Sequence, residues 1–274
     1  MNSYIIYGIL FLIGYIGTLS IIPLFKNLLI DSNIVRPNYK QDMIPVSMGI
    51  VFLPMVILNG ILIAYCTSDL NNILYLITFI FGLVSMFFAG ILDDIIGNRD
   101  VSGLKGHFKS LLNGRLTTGG FKAIFGGFIG ILISLVISKN ISDIIINTLI
   151  IALSTNLMNL LDLRPGRAIK GFLVIMITLF LTLADFFKVL PLLIVPNVLA
   201  YFNLDLKAKA MMGDTGSNVL GISIGILVAM GCSSNIRLSW LVFLILIHLI
   251  TEKFSLTKII ENNKILNFID KLGR

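Results

Sequence analysis

Long apolar stretches alternate with short polar segments along the whole chain, a pattern typical of a protein that crosses a membrane many times. A helix needs about 17–25 mostly apolar residues to cross the hydrocarbon core of a bilayer. Stretches that approach or meet this length lie at residues 4–25, 44–65, 72–92, 118–138, 141–161, 169–187, 189–203, 216–232 and 237–251. We therefore predict an all-α, polytopic membrane bundle of about nine transmembrane helices. No repeat or linker divides the sequence, so a single transmembrane domain is expected over residues 1–274.

Basic residues fall almost entirely on one side of these predicted spans. If the N-terminus lies outside the cell, 18 of the 21 Lys and Arg residues lie on the inner side, and only Lys139, Lys188 and Arg237 lie outside. Cytoplasmic loops of membrane proteins collect Lys and Arg. We therefore predict that the N-terminus is outside, that the C-terminus is inside, and that the long polar loops face the cytoplasm.

The composition agrees with a membrane protein and excludes several other classes. Hydrophobic residues make up 57% of the 274 residues and charged residues 13%, against about 45–50% and 25% in soluble domains. So little polarity excludes a soluble globule, a disordered chain and a nucleic-acid-binding domain. The net charge of +7 is interpreted as the cytoplasmic excess of basic residues, so no nucleic-acid partner is expected.

Two further patterns concern packing and the C-terminus. The fourth span is rich in glycine, which predicts close helix packing through small residues; its glycines are Gly119, Gly120, Gly126, Gly127 and Gly130. Apolar residues recur near helical spacing in the tail, residues 252–274, with lysines between them. Such a segment is either an interfacial amphipathic helix on the inner membrane surface or a tail packed on the loops.

Polar clusters on the predicted inner face are the candidates for chemistry. Asp93 and Asp94 close the third span, where the helix dipole disfavours anions, so a cation would stabilise the pair. The pair is therefore either a Mg²⁺ or phosphate-handling site or two solvated loop acids. Lys40, in the loop before the second span, is either a phosphate contact or a plain cytoplasmic lysine.

The end of the fifth span carries amides and a carboxylate at intervals of three residues. Asn156, Asn159 and Asp162 therefore occupy neighbouring positions on one helix surface, suited to ribose, a uracil edge or the waters of a metal, or to bonds between helices. Arg164 and Arg167 follow in a turn, where they either bind phosphate or anchor the topology.

A glycine-rich turn opens the eighth span. The sequence Met212–Gly213–Asp214–Thr215–Gly216 places amide donors at a helix N-terminus, where a diphosphate binds favourably. Asp214 is placed to hold the accompanying metal ion. The alternative is that this turn is an ordinary helix cap.

Taken in order, these segments resemble the polyprenyl-phosphate N-acetylhexosamine-1-phosphate transferases, glycosyltransferase family 4, which include the phospho-N-acetylmuramoyl-pentapeptide transferases of cell-wall synthesis. The resemblance rests on RPNYKQDMIPVSMG (36–49), AGILDD (89–94), GLKGHFK (103–109), NLMNLLD (156–162) and MGDTGSNVLG (212–221). It implies transfer of a sugar-1-phosphate from a UDP-N-acetyl sugar to polyprenyl (undecaprenyl) phosphate, with release of UMP. It also implies Mg²⁺, or Mn²⁺ in its place, and a site facing the cytoplasm of a bacterial plasma membrane. A homodimer is compatible with it.

The resemblance assigns roles residue by residue. Asp93, Asp94 and Asp214 correspond to catalytic aspartates, and Asp214 together with Asn159 to the metal side of the site. The expected substrate-binding residues are Lys40, Lys109, Asn156, Asn159, Asp162, Arg164 and Arg167.

Two departures from the family keep other functions open. The usual late histidine motif is missing, since the only histidines are His107 and His248, and two arginines replace the commoner loop after Asp162. A catalytically degenerate relative that binds polyprenyl phosphate or a partner enzyme is therefore the second hypothesis. A transporter is the third, because the span centres carry almost no charge.

Overall fold

The computed structural model describes residues 3–97, 106 and 110–274 and is built almost entirely of helices. The helices are α1 (Ser3–Asp31), α2 (Leu53–Cys66), α3 (Leu70–Ile96), α4 (Thr118–Ile137), α5 (Ile141–Leu161), α6 (Arg167–Phe180), α7 (Val195–Leu206), α8 (Gly213–Gly231), α9 (Ser234–Lys253), α10 (Leu256–Asn262) and α11 (Lys264–Lys271). Among the described residues, eight helical stretches are long and apolar enough to cross a membrane. The protein is therefore an all-α, multi-pass membrane protein, as the sequence predicts.

The predicted span at 169–187 forms only a short helix. α6 has 14 residues, about 21 Å at 1.5 Å per residue, against a hydrocarbon core of about 30 Å. The main-chain N–H of Ala184 nevertheless donates to the carbonyl of Gly231, at the far end of α8, over 3.2 Å. Residues 167–184 thus reach that end of α8, but a ninth crossing and the orientation of the termini stay predictions.

The seventh predicted span, which contains two prolines, is not one continuous α-helix. Residues Asp185–Lys188 and Leu190–Leu193 form short 3₁₀ helices, and α7 begins only at Val195. Pro191 and Pro196 each occupy the first turn of a helix, where the missing proline N–H costs no hydrogen bond.

α8 is the central helix of the bundle. Nearly all of its residues are buried, and it packs mainly against α5 and α3. A Cβ atom at Gly225 would lie 2.6 Å from Cα of Ile151, and one at Gly221 would collide with Cα of Thr155. Glycine at these two positions, four residues apart, therefore permits the close contact of α5 with α8.

Three of the five glycines of α4, Gly126, Gly127 and Gly130, do not make the close packing that the sequence predicts for them. A Cβ at Gly127 would have no atom within 4 Å, and one at Gly126 or Gly130 would find its nearest atom at 3.5 or 3.6 Å, an ordinary van der Waals distance. The closest helix contact uses the glycines of α8 instead. That prediction was wrong because a glycine-rich helix can face a cavity as well as a neighbour.

A small hairpin, absent from the sequence prediction, connects α1 to the rest of the bundle. Strands β1 (Val35–Pro37) and β2 (Met43–Pro45) are antiparallel, with Arg36 opposite Ile44. At the end of β2, the carbonyl of Pro45 accepts a hydrogen bond from the N–H of Met211 over 2.8 Å, and beyond β2 the N–H of Gly49 donates to the carbonyl of Met212 over 2.9 Å. The hairpin thereby fixes the turn that opens α8.

The C-terminal tail packs on the loops and turns its apolar side outward. Lys170 Nζ donates to the carbonyl of Leu272 at 2.8 Å and also to two carbonyls of α11. On the other side of α11, Ile265 and Phe268 are 71% and 67% exposed. Packing on the loops is thus what the structure has, while contact of the exposed side with the membrane surface stays a prediction.

The predicted orientation can be tested by cysteine labelling in intact cells. Cys66 and Cys232 are both free and are first replaced by serine. Single cysteines at Asn72 and Asn235, in the first turns of α3 and α9, lie at the predicted outer end. They are then expected to react with an impermeant maleimide. A cysteine at the exposed Asn262 is expected to react only after the membrane is opened. Labelling at Asn262 from outside would reverse the assignment of the two faces.

Candidate active site

Most of the site residues expected from the sequence line one cavity of about 1370 Å³. It lies between the cytoplasmic ends of the helices, as the predicted orientation defines them, and is bounded mainly by α3, α4, α5 and α8. Seven of the expected residues line it: Asp93, Asp94, Asn156, Asn159, Asp162, Arg164 and Asp214. Lys40 instead lines a separate cavity of about 420 Å³, with Lys26, Lys207 and Lys209. Lys109 lies outside the described residues.

Asp94 is buried beneath the first turn of α8. Its Oδ1 accepts a hydrogen bond from the N–H of Asp214 over 3.0 Å, and its Oδ2 accepts from Ser47 Oγ and from the N–H and hydroxyl of Thr215 over 2.6–3.0 Å. The side chain is 7% exposed. Asp94 therefore acts as a cap from another helix, because it satisfies donors that a helix N-terminus leaves free.

The backbone conformation of Gly213 allows the carboxylate of Asp94 to approach the first turn of α8. Its φ of 73° lies in the left-handed region that glycine tolerates best, and a Cβ there would collide with the carboxylate of Asp94. The glycine before Asp214 thus lets α3 and α8 meet through Asp94. This meeting holds the Asp214 main chain at a fixed position beside the end of α3.

Asp93 and Asp214 converge on a single cation, the ammonium group of Lys122 on α4. Lys122 Nζ lies 2.7 Å from Oδ2 of Asp93 and 3.0 Å from Oδ1 of Asp214. The side chains of all three residues are largely buried. Two carboxylates so close repel each other, and the ammonium between them stabilises both.

The polar residues of α5 divide between structure and cavity. Asn159 Nδ2 donates to Asn218 Oδ1 over 2.7 Å, and its Oδ1 accepts from Ser217 Oγ over 2.6 Å. These bonds join α5 to α8. Asn156 lines the cavity, and it makes no side-chain hydrogen bond that the described part of the chain shows. It is therefore the amide of this group with most freedom to bind a ligand.

Asp162 and Asp205 add two further carboxyl groups to the lining of the cavity. Burial, and then the charges of Asp205, Asp214 and Asp94, raise the pKa of Asp162 well above its ordinary value. Asp205 is buried and accepts a hydrogen bond from the N–H of Gly166 over 2.7 Å. Through that bond it holds the turn after α5 in place.

The two arginines after Asp162 have different surroundings. Arg164 lines the cavity, with an exposed side chain 3.8 Å from Glu261. Arg167 is 5% exposed, and its Nε and Nη2 donate to the two carboxylate oxygens of Asp270 over 2.7 and 3.0 Å. Arg167 therefore anchors the tail, and Arg164 is the one placed to meet a phosphate.

This anchor is expected to control how firmly the tail is held. Replacing Asp270 with asparagine leaves Arg167 buried without its counter-ion, which typically costs about 3–5 kcal/mol. Loss of that free energy raises the population of undocked tail, which a protease can cleave. Cleavage of the tail in inverted vesicles should therefore become at least about tenfold faster. Glu261→Gln, at an exposed pair, is the control and should change little. Unchanged cleavage in the Asp270 variant would show that the pair does not hold the tail.

The same pair predicts the pH dependence of tail docking. Burial raises the pKa of Asp270, but hydrogen bonds and charge from Arg167 and Arg274 outweigh it and hold that pKa below its ordinary value. A folded-state pKa below the unfolded one stabilises the docked tail above the unfolded pKa. The stabilisation is lost as the pH falls through the lowered pKa, so docking should be unaffected at neutral pH.

Three residues at the cavity were missed as site residues by the sequence analysis. Lys122 was counted only as a cytoplasmic charge, although it lies inside an apolar span, where an ionisable residue is usually functional. His248 lines the cavity with Nδ1 beside the carbonyl of Leu244 and with a buried Nε2 that has no partner among the described residues. Asn218 is fully buried there, and its Nδ2 likewise lacks an acceptor within the described ranges. His248, inside the predicted span 237–251, carries the same kind of signal, whereas for Asn218 the sequence carries no comparable one.

The donor set of the cavity fits a divalent cation that is shared with substrate. No group of three or more His, Cys, Asp or Glu side chains in the described part of the chain forms a complete metal site. Mg²⁺, however, commonly binds one or two carboxylates and completes its shell with water and substrate phosphates. Asp93 and Asp214, which already converge on the cation of Lys122, supply those two carboxylates.

Comparison with known protein families finds no matching family model, and comparison with curated proteins finds no match. The functional argument therefore rests on the residues and their geometry.

Proposed function

We propose that this membrane protein transfers a sugar-1-phosphate from a UDP-N-acetyl sugar to a polyprenyl phosphate and releases UMP. The observation that carries the proposal is the convergence of Asp93 and Asp214 on one cation position in a large cavity. Phosphoryl transfer needs in-line placement and neutralised charge more than it needs a strong nucleophile. A site with paired carboxylates, amides and one exposed arginine supplies those requirements.

In this proposal, one oxygen of the lipid phosphate bonds to the β-phosphorus of the UDP-sugar. The bond from that phosphorus to the oxygen bridging the two phosphates breaks, and UMP leaves with the bridging oxygen. Bound Mg²⁺ would neutralise the diphosphate charge. Asp93 and Asp214 hold the cation, Asn156 offers an amide to the nucleotide, and Arg164 contacts a phosphate. Asp94 acts indirectly, since it fixes the main chain of Asp214.

The apolar part of the cavity supports a lipid substrate. Met86, Ala123, Gly127 and Leu153 line it on the sides formed by α3, α4 and α5. On the same helices, apolar side chains such as Phe128 are exposed to the surroundings, which in a membrane protein are lipid tails. A chain with a phosphate at one end therefore fits a cavity that is apolar on one side and charged on the other.

A direct assay tests the proposal. Purified protein is incubated with Mg²⁺, undecaprenyl phosphate and a panel of UDP-sugars labelled in the sugar. At least one sugar is expected to give a labelled lipid, and EDTA should abolish its formation. The absence of labelled lipid with every sugar in the panel would contradict the proposal.

A second function, binding of polyprenyl phosphate without catalysis, is favoured by one observation. Lys122 already lies between Asp93 and Asp214 and offsets their mutual repulsion, so the folded protein holds the two carboxylates together without a metal ion. Tight binding of undecaprenyl phosphate without any transfer would favour this second function. The bacterial plasma membrane and a site facing the cytoplasm are part of both proposals, as is a homodimer.

A further inference from the structure

Among the residues that the structure describes, Lys122 is the cation nearest to the two carboxylates that the proposed function gives to Mg²⁺. Its ammonium lies within 3.0 Å of an oxygen of each one. Lys122 belongs to α4, whereas Asp93 and Asp214 belong to α3 and α8. The lysine side chain is a flexible four-carbon stem that ends in a compact charge, so the ammonium can leave the pair without moving the backbone of α3 or α8.

A divalent cation cannot share this position with the ammonium group. A metal ion bound by both carboxylates would lie about 2.0–2.1 Å from their oxygens if it were Mg²⁺, within the space that Lys122 Nζ occupies. The two cations would also repel each other in a poorly hydrated site. One of them must therefore leave before the other can bind both carboxylates.

We propose that Lys122 is the resident counter-ion of Asp93 and Asp214, and that a divalent cation binds these two carboxylates by displacing it. This inference rests on the cation site of the proposed function. It adds that the ammonium of Lys122 competes with the divalent cation for that site. The ammonium offsets the repulsion between the two largely buried carboxylates whenever no metal is bound. Once displaced, it stays attached to a wall of the same cavity, where the phosphates of the substrate bring new negative charge.

The proposal predicts that removal of the lysine strengthens metal binding. Full-length protein in lipid nanodiscs is titrated with Mn²⁺ at pH 8, with no nucleotide or lipid phosphate added, and free Mn²⁺ is measured by electron paramagnetic resonance. Lys122→Met keeps the length of the stem and removes its charge. Its affinity for Mn²⁺ should rise about tenfold or more, because a competing cation is gone.

Two control variants assign the effect to this site. Lys26→Met removes a lysine that lines the separate smaller cavity, and it should leave the affinity for Mn²⁺ unchanged. Asp214→Asn combined with Lys122→Met removes one proposed ligand and should lose the gain. Equal or weaker Mn²⁺ binding by Lys122→Met, in protein that elutes and unfolds as the wild type does, would overturn the proposal.

A measurement on the wild type does not depend on any variant folding. Lys122 is acetylated with an amine reagent in the presence or absence of Mn²⁺, and its modification is followed by mass spectrometry. Displacement predicts several-fold faster modification of Lys122 with Mn²⁺, whereas unchanged or slower modification would overturn it.

The proposed function and this inference fail separately. Displacement of Lys122 without transfer to any lipid would contradict the proposed function alone. Mg²⁺-dependent transfer with no displacement would contradict this inference alone.

Discussion

Replacing Asp214 with asparagine is expected to lower the rate of sugar-phosphate transfer about 100-fold or more while the protein stays folded. The substitution keeps the shape of the side chain and removes the charge that the bound cation needs. The main-chain N–H of residue 214 can still donate to Asp94, as it does over 3.0 Å in the native chain. Transfer is measured with purified variants at equal concentration, and folding by thermal unfolding in detergent.

Asp69→Asn is the matched control for this variant. Asp69 caps the start of α3 by accepting a hydrogen bond from the N–H of Asn71 over 2.9 Å, and an asparagine oxygen accepts the same bond. The control lies at the other end of α3 from Asp93 and should transfer normally. Near-normal, Mg²⁺-dependent transfer by Asp214→Asn would mean that Asp214 does not hold the metal, and the mechanism would be wrong.

The second large effect is expected on stability, from the neighbouring acid of α3. Replacing Asp94 with alanine leaves two main-chain N–H groups and two hydroxyls of the native network without their acceptor. Each buried unsatisfied group costs about 1–3 kcal/mol, so the variant should lose about 3 kcal/mol or more of its free energy of unfolding. A clear fall in melting temperature and a poorer yield of folded protein are the expected readouts.

Asp93→Asn separates the roles of the two adjacent acids. Asp93 contacts Lys122 and none of the donors that Asp94 satisfies, so this variant should retain most of the stability and lose transfer. If Asp93→Asn and Asp94→Ala lowered the melting temperature equally, the division into a cation-binding acid and a structural acid would be refuted.

The lengths of the apolar stretches were enough to predict the bundle, because crossing a bilayer imposes a length that any sequence must meet. The sequence treated Asp93 and Asp94 as one pair, but in the structure the two side chains have different contacts. Successive residues of a helix point about 100° apart, so two adjacent acids rarely face the same ion. One therefore reaches Lys122 while the other lies beneath α8, and only the packing of α3 on α8 decides which.

Contacts between residues far apart in the chain could not be predicted from the sequence. Arg167 pairs with Asp270, about a hundred residues later, and periodicity carries no information on such a pair. Lys122 is different, because a single charge in an apolar span is unusual enough to be noticed. The hairpin at Val35–Pro45 is short and rich in proline, so its strands lack the alternation that identifies a strand.

The glycines of α8 pack tightly against α5, whereas Gly127 of α4 has free space beside it. This difference affects which substitutions the protein can accept over evolutionary time. Any side chain added at Gly221 or Gly225 would separate α5 from α8, whereas one added at Gly127 meets no atom within 4 Å. Gly126 and Gly127 line the cavity. Substitutions in this part of α4 would therefore reshape the space offered to a ligand while the helices that carry Asn159 and Asp214 keep their register. Selectivity for the ligand can diverge there one residue at a time, without any change in the contact between α5 and α8.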